Sequence, residues 1–316
     1  MANIAFKRIS KRIIAFAFAI FLLANILSAF HAYKFTHYSK EGTRMDKMHL
    51  TIGEKIKTLF LGVDNPRPQN TIIPPYQFKT INLQSNVKIE CWFIPSITQA
   101  KGNVLLFHGY TSNKSALIER ADIFIRNGYN CLLVDFMGSG GSEGNLTTIG
   151  YKEAEEVKTC YEYIKSQNQL PTYLYGSSLG AVAIMKAIKD YNINPDAIII
   201  ECPFATMYKT VVARFHMLHV PPFPLAAFLV FWGGLENGFW GFSHNPVAYA
   251  KYIHCPTLLQ YGEKDDRVGR DETDEIFSKL PCPKKLITYP LAGHDDYLRK
   301  YRDEWNKNVL AFLNAQ

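Results

Sequence analysis

The stretch Thr172–Ala181, with the sequence TYLYGSSLGA, joins a short apolar and aromatic run to a Gly-x-Ser-x-Gly motif. The run predicts a buried strand, and the residues from Ala181 to Tyr191 have the apolar spacing of a helix. A serine between a strand and a helix stands on a sharp turn, and glycines on either side leave room where a Cβ would collide. We therefore predict that Ser178 is a nucleophile, assisted by the N-terminal end of the following helix.

A second Gly-x-Ser-x-Gly motif occupies residues 140–144, with the sequence GGSEG. It follows the predicted strand Cys131–Asp135 within a glycine-rich loop, and no helical pattern begins directly behind it. Without that helix, Ser142 lacks the structural context that exposes and activates a nucleophile. The sequence therefore favours Ser178 over Ser142.

The positive charge of the chain is concentrated at its N-terminus. The net charge is +7, but residues 1–50 hold eight Lys/Arg against two Asp/Glu, and the remaining 266 residues hold 27 against 26. A nearly neutral body offers no basic surface, so we expect no nucleic-acid partner. The six cysteines are spread singly, without the spacing of a metal site or a disulfide framework, and Cys202 beside a strand-like run reads as a small apolar residue.

An apolar run from Ile13 to Phe30 follows four basic residues near the N-terminus. A helix of this length spans about 27 Å, close to the ~30 Å hydrocarbon core of a bilayer. The run exceeds the apolar core of a signal peptide, about 7–15 residues, and no Ala-x-Ala site follows. We predict a transmembrane anchor at residues 1–33, with an uncleaved signal sequence as the alternative, and a connector at residues 34–76. The tighter basic cluster before the run favours an exported catalytic domain.

From residue 77 to residue 316, strand-like and helical runs alternate. The runs Phe78–Gln84 and Val87–Ile94 predict an antiparallel hairpin. Further strands are predicted at 104–107, 131–135, 172–175, 197–201, 257–261 and 285–289, and helices at 115–127, 151–167, 179–191, 270–280 and 296–313. This alternation is typical of an α/β fold, with a mostly parallel central sheet and helices on both faces.

The segment 206–252 interrupts the alternation. Between Thr210 and Ala250 only Arg214 and Glu236 carry a charge, and the segment contains PPFP at residues 221–224. It is too short and too broken for a second membrane span. We expect a small helical cap inserted over the edge of the sheet.

Five motifs in order along the chain carry a resemblance to a known family: His108-Gly109, Asp135-x-x-Gly138-x-Gly140-x-Ser142, Gly176-x-Ser178-x-Gly180, Gly262-x-x-Asp265-x-x-Val268 and Gly293-His294. On these motifs, the chain from residue 103 onward resembles the α/β-hydrolase superfamily, in its serine-aminopeptidase-like or monoacylglycerol-lipase-like branch. The resemblance implies the α/β-hydrolase fold, a Ser-His-Asp triad and no cofactor.

The predicted triad consists of side chains that follow three different strands. Because the carboxyl ends of parallel strands meet at one edge of the sheet, we expect Ser178, Asp265 and His294 to lie together. His294 would take the proton from Ser178 and return it to the leaving group, while Asp265 orients the imidazole. Asp266 is the competing acid, and the family spacing to Val268 favours Asp265.

The developing oxyanion needs two preorganised N–H donors. We expect them to be the main-chain N–H groups of Leu179, directly after the nucleophile, and of Tyr110, in the loop after the first central strand. His108 and Gly109 in the same loop are predicted to border the substrate, with the side chain of His108 serving the loop's structure rather than the chemistry.

The nearly uncharged cap indicates an apolar pocket, and we predict that Phe223, Phe228 and Trp232 contact the substrate. Their alternative role is to hold the cap on the sheet. The predicted function is a serine hydrolase of a carboxylester, lysolipid or acylglycerol-like ester; a peptidase, a thioesterase or a silent membrane-tethered binding protein are the alternatives. His216 and His219 lie three residues apart, but no third ligand is near, so we expect no metal.

Overall fold

The computed structural model describes residues 2–40, 53, 58, 62–294 and 297–316, with side chains from residue 11 onward. Within the predicted connector at residues 34–76, residues 41–52, 54–57 and 59–61 lie outside the described residues. From residue 102 to residue 289, strands and helices alternate along the chain, except that three helices follow one another between residues 207 and 250.

An eight-stranded sheet forms the centre of the molecule. Its strands are β1 (Lys79–Gln84), β2 (Lys88–Ile94), β3 (Gly102–Phe107), β4 (Tyr129–Val134), β5 (Thr172–Ser177), β6 (Ala197–Glu201), β7 (Thr257–Gly262) and β8 (Lys284–Tyr289), in the spatial order β1-β2-β4-β3-β5-β6-β7-β8. β1 and β2 form the antiparallel hairpin, β2 pairs antiparallel with β4, and all later pairs are parallel. The predicted mostly parallel sheet is confirmed.

The helices lie before, between and after these strands. They are α1 (Ala2–Thr36), α2 (Ile118–Arg126), α3 (Glu153–Gln167), α4 (Leu179–Tyr191), α5 (Met207–Met217), α6 (Leu225–Glu236), α7 (Pro246–Ala250), α8 (Arg270–Lys279), α9 (Tyr297–Lys300) and α10 (Arg302–Leu313). The sequence predicted one helix at residues 296–313, but Tyr301 leaves the helical conformation with φ −135° and separates α9 from α10.

Alternate residues of a central strand pack into two separate cores. In β3, Leu105 and Phe107 pack with α3 and α4, whereas Val104 and Leu106 pack with α2 and α10. Because both faces of the sheet are covered, these strands are continuous apolar runs rather than alternating ones. The helices on both faces are therefore as predicted.

Helix α1 and the residues directly after it contact the body. It continues six residues past the predicted apolar run, which ends at Phe30, to Thr36. Directly after it, His37 pairs with Leu146 and Ser39 with Pro66 in isolated β-bridges. Among the described residues, one helix is long and apolar enough to cross a membrane: the stretch Lys11–Thr36, with a mean hydropathy of 2.5.

The segment 206–252 contains α5, α6 and α7, and α6 lies beside α1. The rings of Phe228 and Phe21 meet edge to face with centroids 5.6 Å apart. Nε1 of Trp232 donates a hydrogen bond to Oδ1 of Asn25 at 3.2 Å. Phe223, before α6, is 78% exposed. Phe228 and Trp232 thus both contact α1, and the predicted contact of Phe223, Phe228 and Trp232 with the substrate stays a prediction.

Candidate active site

Ser178 stands on the turn between β5 and α4. Its backbone has φ +50° and ψ −107°, a strained conformation for a residue with a side chain. A Cβ on Gly176 would lie 2.5 Å from the carbonyl carbon of Gly180, and one on Gly180 would lie 2.3 Å from the carbonyl oxygen of Phe107. Both glycines of the motif are therefore required, because the start of α4 passes too close to β5 and β3 for any side chain.

Three side chains from three loops meet at the carboxyl edge of the sheet. Oγ of Ser178 is 3.1 Å from Nε2 of His294, and Nδ1 of His294 is 2.7 Å from Oδ2 of Asp265. The side chain of Asp265 is fully buried and that of His294 is 6% exposed. With Nδ1–H donating to the carboxylate, Nε2 presents a lone pair to the Ser178 hydroxyl, which is the arrangement of a nucleophile and its base.

The structure brings Asp265, rather than Asp266, to the histidine. The second oxygen of Asp265, Oδ1, accepts the main-chain N–H groups of Arg267 at 2.8 Å and Val268 at 3.0 Å. The side chain of Asp266 is 52% exposed and faces the Arg267 guanidinium. The spacing Asp265-x-x-Val268 thus has a local cause, since the loop folds back on the carboxylate that orients His294.

The predicted oxyanion donors lie on either side of the nucleophile. Leu179 is the first residue of α4, so its main-chain N–H has no carbonyl of a preceding turn to bond. A Cβ on Gly109 would lie 3.8 Å from Cβ of Ser178, so the loop that contains Gly109 and Tyr110 passes directly beside the serine. Two main-chain segments therefore flank the point where charge would develop on an attacked carbonyl.

The side chain of His108 stabilises the loop that contains Gly109 and Tyr110. Its side chain is buried; Nδ1 lies 2.8 Å from the carbonyl oxygen of Gly109, and Nε2 accepts the main-chain N–H of Phe136 at 3.1 Å. Burial lowers the pKa of His108, although the nearby Asp135 carboxylate opposes that shift. A neutral imidazole with both nitrogens engaged within the protein holds the loop and does not reach Ser178.

Ser142 of the second motif is buried at a different place. Its Oγ donates to the carbonyl oxygen of Asp135 at 2.6 Å and accepts the main-chain N–H of Glu90 at 2.8 Å. Both hydrogen bonds join the glycine-rich loop to neighbouring strands. The hydroxyl of Ser142 is thus used within the fold.

Two residues at the carboxyl end of β6, Glu201 and Cys202, were not singled out for this edge by the sequence. Sγ of Cys202 lies 3.9 Å from Nε2 of His294, and the backbone of Cys202 has φ +41°. The buried carboxylate of Glu201 accepts Nε1 of Trp305 and the Tyr175 hydroxyl, both at 2.6 Å. Their position at the carboxyl end of a parallel strand was the signal available in the sequence.

Metal-ligating side chains also converge at this edge. Within the described part of the chain, Cys202, Asp265 and His294 form a group whose ligand atoms lie within 4.8 Å of one another. Asp265 already faces one nitrogen of His294 and Ser178 faces the other. The group therefore coincides with the serine site.

Comparison with known proteins gives both a family and relatives. The family model of serine aminopeptidase, S33 matches residues 98–229. The uncharacterised protein YqkD of Bacillus subtilis is 26% identical over 215 residues, 67% of this chain and 70% of that protein. The lysophosphatidylserine lipase ABHD12 of Danio rerio is 25% identical over 246 residues, 71% of this chain and 61% of that protein. The uncharacterised membrane protein YNL320W of Saccharomyces cerevisiae is 25% identical over 225 residues, 70% of this chain and 74% of that protein.

A solved structure has the same architecture. An esterase of Pyrococcus furiosus superposes with a TM-score of 0.68 at 24% identity, over 80% of this chain and 97% of its own. The sheet order, the strained serine after β5 and this superposition define an α/β-hydrolase fold. The chain has the α/β-hydrolase fold, and its residues 98–229 are similar to the serine aminopeptidase, S33 family. The predictions of fold class and of a serine hydrolase are confirmed.

Proposed function

We propose that Ser178, His294 and Asp265 are the catalytic triad of an esterase that cleaves carboxylic esters with an apolar acyl group. The observation that carries this proposal is the unbroken chain of contacts from Oγ of Ser178 through both nitrogens of His294 to Asp265, at 3.1 Å and 2.7 Å. The same three side chains and spacing serve serine hydrolases of unrelated folds, so geometry rather than fold supports the assignment.

The acylation step follows from these contacts. As Oγ of Ser178 attacks the ester carbonyl, Nε2 of His294 takes its proton, and Asp265 stabilises the imidazolium. The oxyanion is held by the main-chain N–H groups of Leu179 and Tyr110. Collapse of the tetrahedral intermediate passes the proton from His294 to the leaving alcohol and leaves an acyl-enzyme. Water then attacks the acyl group with the same proton transfers in reverse, and the acid is released.

A narrow apolar cavity supports the proposal that the larger part of the substrate is an acyl chain. It lies between the end of α1 and the cap, its walls include Phe35, Ile149, Met207 and Leu229, and none of the described residues that line it is charged. The ring of Phe35 stacks on that of Tyr110 at 4.8 Å, so the cavity begins beside the oxyanion loop. A lysolipid or acylglycerol-like ester fits this surface, and the likeness to a lysophosphatidylserine lipase supports it further.

We also propose that α1 anchors the enzyme in a membrane, with the catalytic domain on the exported side. The apolar length of residues 11–36 and the likeness to a yeast membrane protein support the anchor. The basic residues clustered before the span support the orientation.

The direct test is hydrolysis of p-nitrophenyl esters from acetate to palmitate by the full-length enzyme in detergent. We expect turnover to rise with acyl length, Ser178→Ala to abolish it at every length, and Ser142→Ala to retain most of it. A dead Ser142 variant beside an active Ser178 variant would overturn the site.

Two outcomes separate the alternative functions. Activity confined to acetate and butyrate would retain the triad but favour a peptidase or a small-ester enzyme. A protein without activity that also fails to react with a fluorophosphonate would be a binding protein on this fold, because only an activated serine is phosphonylated.

A further inference from the structure

The cap helix α6 is packed along the apolar part of α1. Phe228 meets Phe21 at 5.6 Å, and Trp232 donates to Asn25 at 3.2 Å. A Cβ on Gly233 would lie 3.7 Å from that of Ala32, so the helix backbones come close there. The contacts run along α1 from residue 21 to residue 32, about 16 Å at 1.5 Å per residue.

These contacts determine the depth of α6 once α1 is in a membrane. They begin near the middle of the span Lys11–Thr36, at Phe21, and continue through its C-terminal half. The span reaches its polar end shortly after them, where Lys34 forms an ion pair with Asp64 at 2.5 Å. A helix fixed beside residues 21–32 must therefore lie at the depth of one leaflet and not in water above it.

The outward surface of the cap has the composition that this depth requires. The cap exposes large apolar side chains, namely Leu218, Phe223, Phe231, Leu235, Trp240 and Phe242. Phe223 is 78% exposed and Trp240 is 58% exposed. A patch of this kind marks an interaction surface. Ring contacts run from Phe242 through Trp240 and Phe231 to Trp232, which donates to Asn25 of α1. Helix α1 itself exposes large apolar side chains, among them Leu23 at 56%.

We infer that α6 and the exposed apolar residues around it are embedded in the acyl-chain region of the leaflet that surrounds the C-terminal half of α1. The inference rests on the membrane anchor proposed above and commits to lipid as the occupant, because the patch is continuous with the surface of the span. Trp240 has the amphipathic ring that is favoured at the membrane–water boundary. The cavity that α1 and α6 line together then lies at the depth of the lipid acyl chains.

The test compares three added cysteines in the full-length protein in phosphatidylcholine nanodiscs. Leu23→Cys reports on the anchor, Leu235→Cys on the cap, and Ile97→Cys on the body. Leu235 and Ile97 are matched in exposure, at 57% and 58%. All six native cysteines are buried, so the labelled wild type supplies the background. Each variant carries a nitroxide, and spin-relaxation measurements give its accessibility to oxygen and to a water-soluble nickel complex.

We expect the labels at residues 23 and 235 to be oxygen-accessible and shielded from nickel, and the label at residue 97 to show the reverse. A nickel-accessible label at 235 with a shielded label at 23 overturns the embedded cap but leaves the anchor. Nickel access at both positions overturns the anchor as well. Dipolar broadening at 235 with low access to both reagents assigns the patch to a second copy of the chain and overturns the inference.

A second inference rests on different contacts, those between α1 and the oxyanion loop. The hydroxyl of Tyr110 donates to the carbonyl oxygen of Phe35 at 2.6 Å and accepts Nδ2 of Asn65 at 3.1 Å. The two rings stack at 4.8 Å with an interplanar angle of 20°. Asn65 is buried and also donates weakly to the carbonyl oxygen of Lys34 at 3.4 Å.

We propose that Phe35 and Asn65 are positioning residues for the oxyanion loop. Tyr110 carries both a proposed oxyanion donor, its main-chain N–H, and the side chain that α1 holds. The last turn of α1 therefore belongs to the active site as well as to the anchor. This proposal rests on the proposed function, because it concerns the oxyanion donor of the same reaction.

The test is Tyr110→Phe, which keeps the stacked ring and removes both hydrogen bonds of the hydroxyl. We expect kcat for p-nitrophenyl butyrate to fall about tenfold, less than the loss of a whole oxyanion donor, with KM unchanged. The affinity for a trifluoromethyl ketone, which forms the oxyanion adduct, should fall by the same factor. Tyr161→Phe is the matched control, because its hydroxyl also donates to a main-chain carbonyl, that of Asn194 at 2.7 Å.

Equal kcat values in the Tyr110 and Tyr161 variants would overturn the positioning role. A lower kcat without weaker binding of the ketone would assign the loss to general destabilisation and overturn it too. An inactive wild type is a different result, since it contradicts the esterase itself.

Discussion

The carboxyl edge of the sheet and the cap differ in how well their contacts could be predicted from the sequence. Ser178, Asp265 and His294 come from distant parts of the chain and lie within hydrogen-bond reach of one another. Phe228 and Trp232, which were expected beside the substrate, have contacts to α1 that the sequence did not predict. Parallel strands determine where the following loops meet, whereas burial of an apolar helix is non-directional and any apolar partner satisfies it.

The sheet edge has the largest expected response to a single change. Asp265→Asn keeps the shape of the side chain but removes the charge that selects the tautomer of His294, so we expect kcat/KM to fall by about 10³–10⁴-fold. Asp266→Asn, at the adjacent exposed carboxylate, should change kcat/KM by less than about twofold. Steady-state hydrolysis of p-nitrophenyl butyrate measures both. A larger loss in the Asp266 variant would reverse the assignment of the acid.

The cap offers its own matched pair, two adjacent glycines of α6. A Cβ on Gly234 would lie 2.4 Å from the main-chain nitrogen of Gly241, whereas one on Gly233 makes an ordinary contact with Ala32. We expect Gly234→Ala to lower the free energy of unfolding by about 1–3 kcal/mol through overpacking. Gly233→Ala should be neutral or stabilising, by up to about 1 kcal/mol, since alanine favours the helix. Thermal unfolding in detergent compares the two variants. Equal midpoints would show that the cap relaxes to accommodate the added methyl group, whereas the sheet edge does not.

A third expected effect, which depends on pH, lies at the seam between the two regions, at His244. Its Nε2 donates to the carbonyl oxygen of Ile149 at 3.0 Å, and its Nδ1 accepts from the Tyr249 hydroxyl at 3.0 Å. Burial lowers the pKa of His244 from 6.5 to about 4. As the pH falls, the unfolded chain therefore protonates at His244 before the folded protein does. The contribution of His244 to the free energy of unfolding is constant above pH 6.5 and falls as the pH drops from 6.5 to 4.

The loss over that window is at most about 3 kcal/mol, from ~1.4 kcal/mol per pKa unit. We expect the thermal midpoint of the wild type to fall between pH 7 and pH 4.5 more steeply than that of His244→Gln. His254→Gln, at an exposed histidine, should keep the wild-type slope. Identical slopes in all three proteins would mean that His244 does not titrate in this pH range.

The fold was predictable because its signals are local. Strand β6 and helix α4 have the predicted bounds. The strand was predicted from an apolar run between turn residues and the helix from the apolar pattern behind Ser178, and both signals involve only residues that are neighbours in the sequence. The triad assignment stays a prediction for which the structure supplies the geometry. What sequence reasoning missed depends on partners far along the chain: Trp232 bonds a residue 207 positions away, and Cys202 approaches His294 across 92 positions.

The bridges that follow α1 carry a kinetic consequence. Because His37 and Ser39 pair with the body directly after Thr36, these bridges hold the catalytic domain against the end of α1. If α1 anchors the enzyme in a membrane, as proposed, an enzyme held this way would meet a lipid ester by diffusion in two dimensions. Its rate would follow the mole fraction of the ester among the surrounding lipids, so that diluting the ester with inert lipid would slow turnover even when the bulk concentration stayed the same.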